Sequence, residues 1–264
     1  NMYFNAIFLL IISFIVLIFV VNIVTNLLKY YNFSIKKNSD YLTITSGFFI
    51  NKIKILKPDK VQTITYFQNY FQKKLKFYNL KIQQATGDEF SKQSIENNII
   101  VPGCSEQELQ KILNYLYKIQ PEKQLILIPK IQFFVPVLVF FVLIPLIIFY
   151  SIGYFYDKII VYQWLFLVYT PILLIVNYLR YKNEKLYFDG KFIQKSSGAW
   201  DVSHHIVASS KLQGFTIKQK IWQQKNDIGD ILFYTASGSF RFRFANYSKL
   251  ETYLNYWLYQ VENE

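Results

Sequence analysis

The stretch Tyr41–Gly87, YLTITSGFFINKIKILKPDKVQTITYFQNYFQKKLKFYNLKIQQATG, returns 151 positions later as Phe192–Gly238, FIQKSSGAWDVSHHIVASSKLQGFTIKQKIWQQKNDIGDILFYTASG. The two align without a gap. Identical pairs include Ser46/Ser197, Gly47/Gly198, Lys60/Lys211, Gln62/Gln213, Thr65/Thr216, Gln68/Gln219, Gln72/Gln223, Lys74/Lys225, Ala85/Ala236 and Gly87/Gly238. Other pairs keep their character, as Phe49 does with Trp200 and Leu80 with Ile231. A gapless match of this length means that one structural unit occurs twice.

Within each copy the local signals are mostly β. Tyr41–Ser46 alternates and is rich in β-branched residues, and Gly47 supplies a turn. Phe49–Leu56 alternates again, which puts Ile53 and Ile55 on one face and Lys52 and Lys54 on the other. The second copy repeats this as Gly198 followed by Trp200–Val207. Leu80 and Ile82 match Ile231 and Phe233 on one face of a later strand, closed by turns at Gly87 and Gly238. Between those strands, Phe67–Leu75 and Lys218–Asn226 have the spacing of one or two helical turns.

Each copy ends on an amphipathic helix. Leu109, Ile112, Leu113, Leu116 and Tyr117 form one stripe, and Leu250, Tyr253, Leu254, Trp257 and Leu258 reproduce it. Ser105-x-x-Glu108 and Ser248-x-x-Glu251 read as capping boxes. The stripes are 141 positions apart, so the first copy carries about ten more residues, assigned to a polar surface loop over Asp88–Asn98. A strand-rich unit closed by one helix predicts a small barrel plugged at one end.

The rest of the chain is membrane-like. Hydrophobic residues make up 52% of a chain with net charge +12, and the longest apolar runs are three uncharged blocks, Tyr3–Leu28, Ile131–Phe155 and Ile159–Tyr178. About 20 apolar residues at ~1.5 Å each cross the hydrocarbon core, so all three qualify as spans. The first lacks a basic start and a small-residue cleavage site, which favours a retained anchor over a signal peptide.

Sixteen lysines against eight acids in Lys29–Lys130, and twelve basic residues against eight acids in Arg180–Glu264, put both repeats on the positive, cytoplasmic side. The link holding Asp157 and Lys158 then lies outside. Tyr150, Tyr154, Tyr156, Tyr162 and Trp164 form an outer aromatic belt, with Phe133, Tyr178 and Tyr181 at the inner interface. The lone Cys104 excludes an internal disulfide and fits a reducing compartment.

The residues Leu42 to Gly47, Pro58-Asp59-Lys60-Val61-Gln62, Gln68, Gln72 and Ala85-Thr86-Gly87 carry a pattern similar to bacterial pleckstrin-homology (PH) domain membrane proteins of the YdbS/YdbT type. The second copy supplies Gly198, Lys211-Leu212-Gln213, Gln219, Gln223 and Ala236-Ser237-Gly238, without the proline. Gly214 and His204-His205 also depart from the pattern.

The resemblance implies a membrane α+β architecture, with three transmembrane helices alternating with two PH-like β-barrel/sandwich modules, each capped by a C-terminal amphipathic helix. The expected boundaries are a transmembrane helix at 1–28, a module at 29–130, a transmembrane hairpin at 131–179 and a second module at 180–264. Shifted by 151, the first span falls on the third. The second span's counterpart would then precede residue 1, so the chain is expected to be the C-terminal portion of a longer protein.

No catalytic constellation is visible, and no cofactor or metal is expected. His204 and His205 are adjacent, so on a strand they face opposite sides and cannot share one ion. The sequence has no Cys pair, no His-x-x-x-His and no glycine-rich phosphate loop. The spans hold no ionisable residue to mark a transport route. Asn22, Asn26, Gln163 and Asn177 lie near span ends, where interfacial water can serve them.

The expected function is therefore non-enzymatic. Tandem modules at the bacterial inner membrane would mediate self-association or bind a membrane-protein partner, in a role that the resemblance ties to envelope stress or antimicrobial-peptide tolerance. The alternative is binding of anionic lipids, since each lysine near such a surface is worth about 1 kcal/mol. Nucleic acid is not an expected partner. Lys52, Lys54, Lys73, Lys74 and Lys76 are the candidate membrane-facing or partner-facing residues, and Gln62 and Gln213 are expected to bond to neighbouring loops.

Overall fold

The computed structural model describes residues 2–85, 98–117, 125–189 and 191–262, in two compact units that divide in sequence between Lys60 and Val61. Gly87 and most of the expected surface loop lie outside the described residues.

The first unit opens with α1 (Met2–Lys29). Three polar side chains in its C-terminal half are satisfied within the helix. The Asn22, Thr25 and Asn26 side chains donate to the carbonyls of Ile18, Val21 and Asn22 at 3.1, 2.8 and 2.9 Å. An antiparallel sheet follows, in the order β1 (Ser34–Lys37), β2 (Leu42–Ser46), β3 (Lys52–Leu56). One expectation needs correction here. Phe49 and Ile50 belong to the turn, and β3 starts only at Lys52. The alternation left the inner face open, and the structure makes the isoleucine face of β3 the outer one, with Ile53 and Ile55 66% and 55% exposed. The buried row is Leu42, Ile44 and Leu56, and Lys54 sits opposite Ile44 on that side. Alternation fixed the period of the strand but not which face points inward.

The second unit holds β4 (Val61–Gln68), α2 (Tyr70–Leu75), β5 (Phe77–Gln84), β6 (Asn98–Ser105), α3 (Glu106–Tyr117) and β7 (Leu125–Leu127). After two apolar helices come β8 (Lys185–Phe188), β9 (Phe192–Ser197), β10 (Val202–Ala208) and β11 (Leu212–Lys218). The chain ends with α6 (Ile221–Gln224), β12 (Ile228–Thr235), β13 (Gly238–Asn246) and α7 (Tyr247–Glu262), the two earlier apolar helices being α4 (Ile144–Phe155) and α5 (Trp164–Asn183).

Several of the repeated residues do the same work twice. Gln68 ends β4 and donates to the Phe77 carbonyl at 2.8 Å, while Gln219 follows β11 and donates to the Ile228 carbonyl at 3.1 Å. Each clamps the start of the next strand across a short helix. Gln72 and Gln223 each reach back from the first helical turn to accept the N–H of Asn69 and Lys220, at 3.0 and 2.8 Å. Lys76 and Asp227, also 151 apart, both leave their helices with positive φ, 56° and 50°. Gln62 and Gln213 differ, the first buried and the second exposed, so they share no common environment.

The core of the second copy joins Leu186, Phe188 and Ile193 to Ile231, Phe233, Phe242, Ala245 and the α7 residues Leu250 and Leu254. The first copy buries Ile64, Leu80, Ile82, Ile99 and Val101 together with Leu109, Leu113 and Leu116 of α3. The capping box of α3 is present, with Ser105 N–H donating to Glu108 Oε2 at 2.8 Å. The second box is not where the sequence placed it. α7 starts at Tyr247, Asn246 Oδ1 accepts the Lys249 N–H at 2.9 Å, and Ser248 instead donates to Asp227. Asn246 lies 141 positions after Ser105, in step with the two apolar stripes.

The two copies do not form separate barrels at the level of their sheets. One seven-stranded sheet runs β6-β5-β4-β10-β9-β8-β7, so the fourth strand of the first copy pairs with the third strand of the second. The β4–β10 register runs from Val202↔Gln68 to Val207↔Thr63. α3 reinforces this joint: the Tyr117 hydroxyl donates to the Ile206 carbonyl at 3.1 Å, and its ring lies 4.9 Å from Phe192.

The joint is lined with paired polar groups. Thr65 Oγ1 and His205 Nδ1 are 2.7 Å apart, as are Ser196 Oγ and His204 Nδ1. His204 stacks on Tyr66 at 4.7 Å, and His205 packs on Phe240 at 4.8 Å. The two imidazoles thus occupy different surroundings, as the alternation of a strand requires. Burial pushes the Tyr66 hydroxyl up to about 12, with Tyr78 adding to the effect.

His205 is pushed down to about 4, chiefly by burial and then by the charges of Lys195 and Lys81. The unfolded chain therefore takes up the proton first. The stability held by neutral His205 is complete above about pH 6.5 and is lost as pH falls towards 4, by up to ~3 kcal/mol. Thermal unfolding measured from pH 7 to pH 4 should show that slope, and His205→Gln should flatten it. An unchanged slope in the variant would mean that another group titrates.

Candidate membrane-proximal surface

Three helical segments, Leu9–Lys29, Ile131–Phe155 and Asp157–Asn183, are long and apolar enough to cross a membrane. The second is not uniform. It widens to a π-helix over Leu138–Leu143 before α4 (Ile144–Phe155), because Pro145 has no N–H to give and its ring crowds the preceding turn. The third enters by a 3-10 turn at Asp157–Gln163 and continues as α5 (Trp164–Asn183). Gly153 allows the close approach at the link, since a Cβ there would stand 2.9 Å from the Ile160 side chain.

The matched glycine turns sit at the ends of two of these helices. In the first unit, Gly47 N–H donates to the Tyr31 carbonyl at 2.9 Å and Phe48 N–H to the Leu28 carbonyl at 3.1 Å. Carbonyls at and beyond the end of α1, which the helix itself cannot satisfy, are thus taken by the β2–β3 turn. Tyr31 meets the Phe48 ring edge-on at 4.9 Å. In the second unit, Asn183 Nδ2 at the end of α5 donates to the Gly198 carbonyl at 2.9 Å. Both glycines are required by the backbone. Their φ values are +125° and +121°, and a Cβ would fall 2.1 Å from the Ile50 oxygen and 1.8 Å from the Asp201 oxygen.

These turns present apolar side chains outward: Phe49 is 80% exposed, Ile50 70% and Trp200 63%. The tip of α2 adds Tyr70 and the exposed Phe71, with Tyr70 6.3 Å from Trp200. The repeat-equivalent tip of α6 adds Ile221 and Trp222, 85% and 67% exposed. The turn after α6 is fastened to the start of the second apolar helix. Lys130 Nζ donates to the Asn226 carbonyl and lies 4.0 Å from Asp227, and Lys130 N–H donates to the Phe244 carbonyl at 2.7 Å. Hydrogen bonds from Ser248 first, and then the charge of Lys130, hold the Asp227 carboxyl below its ordinary range.

The candidate lysines fall in two places. Lys73, Lys74 and Lys76 cluster at the exposed end of α2, with Lys74 Nζ 5.5 Å from the Tyr70 ring. Lys52 and Lys54 lie on β3 in the first unit, Lys52 exposed and Lys54 partly enclosed. A reading of Phe49–Leu56 as one strand hides the apolar tips beside them. The signal was present in the Phe49/Trp200 pair, two large rings following matched glycines.

Among the described residues, no group of three or more His, Cys, Asp or Glu side chains could hold a metal ion. Burial pushes the Cys104 thiol up to about 11, and its Sγ–H donates to the Tyr78 carbonyl at 3.2 Å. Such a thiol is a packed group rather than a nucleophile. Asn177 needs a correction: it is 3% exposed, not served by interfacial water, and its Nδ2 has no hydrogen-bond partner among the described residues.

Comparison with known proteins finds the family described as bacterial PH domain at residues 5–120 and again at 125–261. No curated protein matches the chain.

Two substitutions probe this geometry. Gly198→Ala forces a Cβ onto a backbone oxygen and should destabilise the folded chain in mild detergent by about 1–3 kcal/mol. Gly238→Ala is the comparison, because its φ is also positive but no atom lies within 4 Å of the added Cβ. Equal losses would show that φ, and not the close approach, sets the cost. A buried, unpaired amide costs about 1–3 kcal/mol, so Asn177→Leu should hold or raise the unfolding midpoint. A lowered midpoint would show that the amide has a partner.

Proposed function

We infer, from the premise that the chain belongs to the bacterial PH domain family, that it is a multi-pass inner-membrane adaptor without catalytic activity. Bacterial PH domains together with three candidate spans fit a membrane-associated protein. The finer reading has three parts. Both repeats lie on the cytoplasmic side, as the lysine excess favours. They alternate with the spans in the YdbT manner. Their task is to hold copies of the chain, or a second membrane protein, in a fixed relation beneath the bilayer.

One observation carries this reading, the continuous seven-stranded sheet. Within the second unit, β4–β6 of the first copy and β7–β10 of the second share this sheet and cannot swing independently, as strands on a flexible linker would. A rigid composite body is suited to setting the distance and angle between partners. Strand addition at a sheet edge would supply affinity through main-chain hydrogen bonds, with side-chain pockets giving specificity.

The test is cross-linking of the chain in native membranes, followed by mild-detergent capture and identification of what is joined to it. The expected result is a stoichiometric partner or a second copy. Recovery of the chain alone, un-cross-linked at its natural abundance, would overturn the adaptor reading.

Anionic lipid binding is the second reading, and the exposed lysine cluster at the end of α2 favours it. Under that reading, replacing Lys73, Lys74 and Lys76 with glutamine should weaken salt-sensitive retention of anionic lipid by the purified chain. Unchanged lipid retention would remove the cluster from consideration.

A further inference from the structure

We propose that the glycine turns and short helix tips of both repeats are bilayer-dipping anchors, with Phe49, Ile50, Phe71, Trp200, Ile221 and Trp222 entering the headgroup region of the membrane that the chain itself crosses. The proposal rests on the reading that the three apolar helices span.

The placement follows from the hydrogen bonds at the span ends, taken one unit at a time. In the first unit, the Leu28 carbonyl belongs to the last apolar turn of α1, and Phe48 N–H binds it directly. Phe49 and Ile50 therefore stand level with the end of the apolar segment, before the chain has left the interface. In the second unit, Asn183 holds the Gly198 turn against the end of α5, only a few residues past the last apolar turn. Trp200 projects from that turn, with Tyr70 beside it and Phe71 against Tyr70. The α6 tip is placed by a separate span, because Lys130 at the entry to the second apolar helix binds the turn that follows Trp222.

The chemistry matches that surroundings. Tryptophan and tyrosine favour the interface, where one end of the ring meets apolar chains and the other stays wet. Cations flank each ring group. Lys220 Nζ lies 4.7 Å from the Trp222 ring, Lys74 is over Tyr70, and Lys29 Nζ is 5.1 Å from the Tyr30 ring. Lysines at this depth can lift their charge to anionic phosphates while their stems cover apolar surface. Exposed isoleucine, phenylalanine and tryptophan recurring at equivalent points of two repeats, each time beside a span end, are difficult to account for as water-facing residues.

The test uses the full chain reconstituted in vesicles of mixed anionic and zwitterionic phospholipid. Of its four tryptophans, Trp200 or Trp222 is kept singly, the others being replaced by phenylalanine, and Trp164 is kept singly as a marker of spanning. Nitroxide-labelled lipids with the label near the headgroup should remove most of the Trp200 and Trp222 emission, and aqueous iodide should have little effect. Iodide-quenched, lipid-insensitive emission at both sites, with Trp164 lipid-quenched, would overturn the anchors and leave the spans intact. Loss of lipid quenching at Trp164 as well would instead overturn spanning.

Emission shielded from lipid and iodide alike would place a protein partner or second copy over the tips, and would also overturn the proposal. A nitroxide at Phe49→Cys, with the buried Cys104 retained, tests the first unit without removing any tryptophan. It should be accessible to oxygen and protected from a water-soluble nickel chelate. The opposite ranking would exclude the first unit's turn from the membrane.

Discussion

The pairing of β4 with β10 is the interaction on which the second unit depends. A strand at the end of a sheet carries backbone donors and acceptors that must find protein or water. Here each copy answers the other's need. The ladder makes a long-range connection across more than a hundred residues, including both helices of the apolar hairpin. Net backbone hydrogen bonds contribute only about 0.5–1.5 kcal/mol each, whereas a buried unpaired group costs about 1–3. The joint is thus held less by the worth of its bonds than by the penalty for breaking any of them. This is why its side chains, Thr65, Ser196, His204 and His205, are all paired even though the region lies beside an apolar core.

A good part of the architecture was legible from local pattern. The repeat located the strands within Tyr41–Gln84 and their counterparts, the α3 and α7 stripes and the turns at Gly47 and Gly198, because these depend on periodicity and on residues with special backbone freedom. Gln68/Gln219 and Gln72/Gln223 show the strength of such reading, since an identity kept twice corresponded to one hydrogen bond made twice. The joint between copies was not legible. Nothing within β4 or β10 names its partner, because any alternating strand can pair with many others, and only tertiary packing chooses.

The choice of inner face was illegible for the same reason. The isoleucines of β3 point outward and the row ending in Leu56 points inward, which a two-residue period cannot decide by itself. The cap of α7 was misplaced by two residues because Ser248 is a good cap by type, but Asp227 engages it from another turn. The apolar tips were concealed by their own composition: Phe and Ile after a glycine look like the start of a strand until their exposure is known. Composition placed the lysines on the surface, whereas the tethering of turns to the ends of apolar helices is a three-dimensional fact.

The joint between repeats also has a direction. It matches the fourth strand of one copy to the third of the next, two unlike surfaces, rather than one surface to itself. A self-matched joint stops at two members. A joint of unlike surfaces is a grammar that can be extended, because duplicating one helix-and-module segment reproduces both halves of the connection in the right order. A chain built from such segments can lengthen by a whole repeat without a new kind of interface, because each added segment brings one half of the joint for the segment before it and the other half for the segment after it.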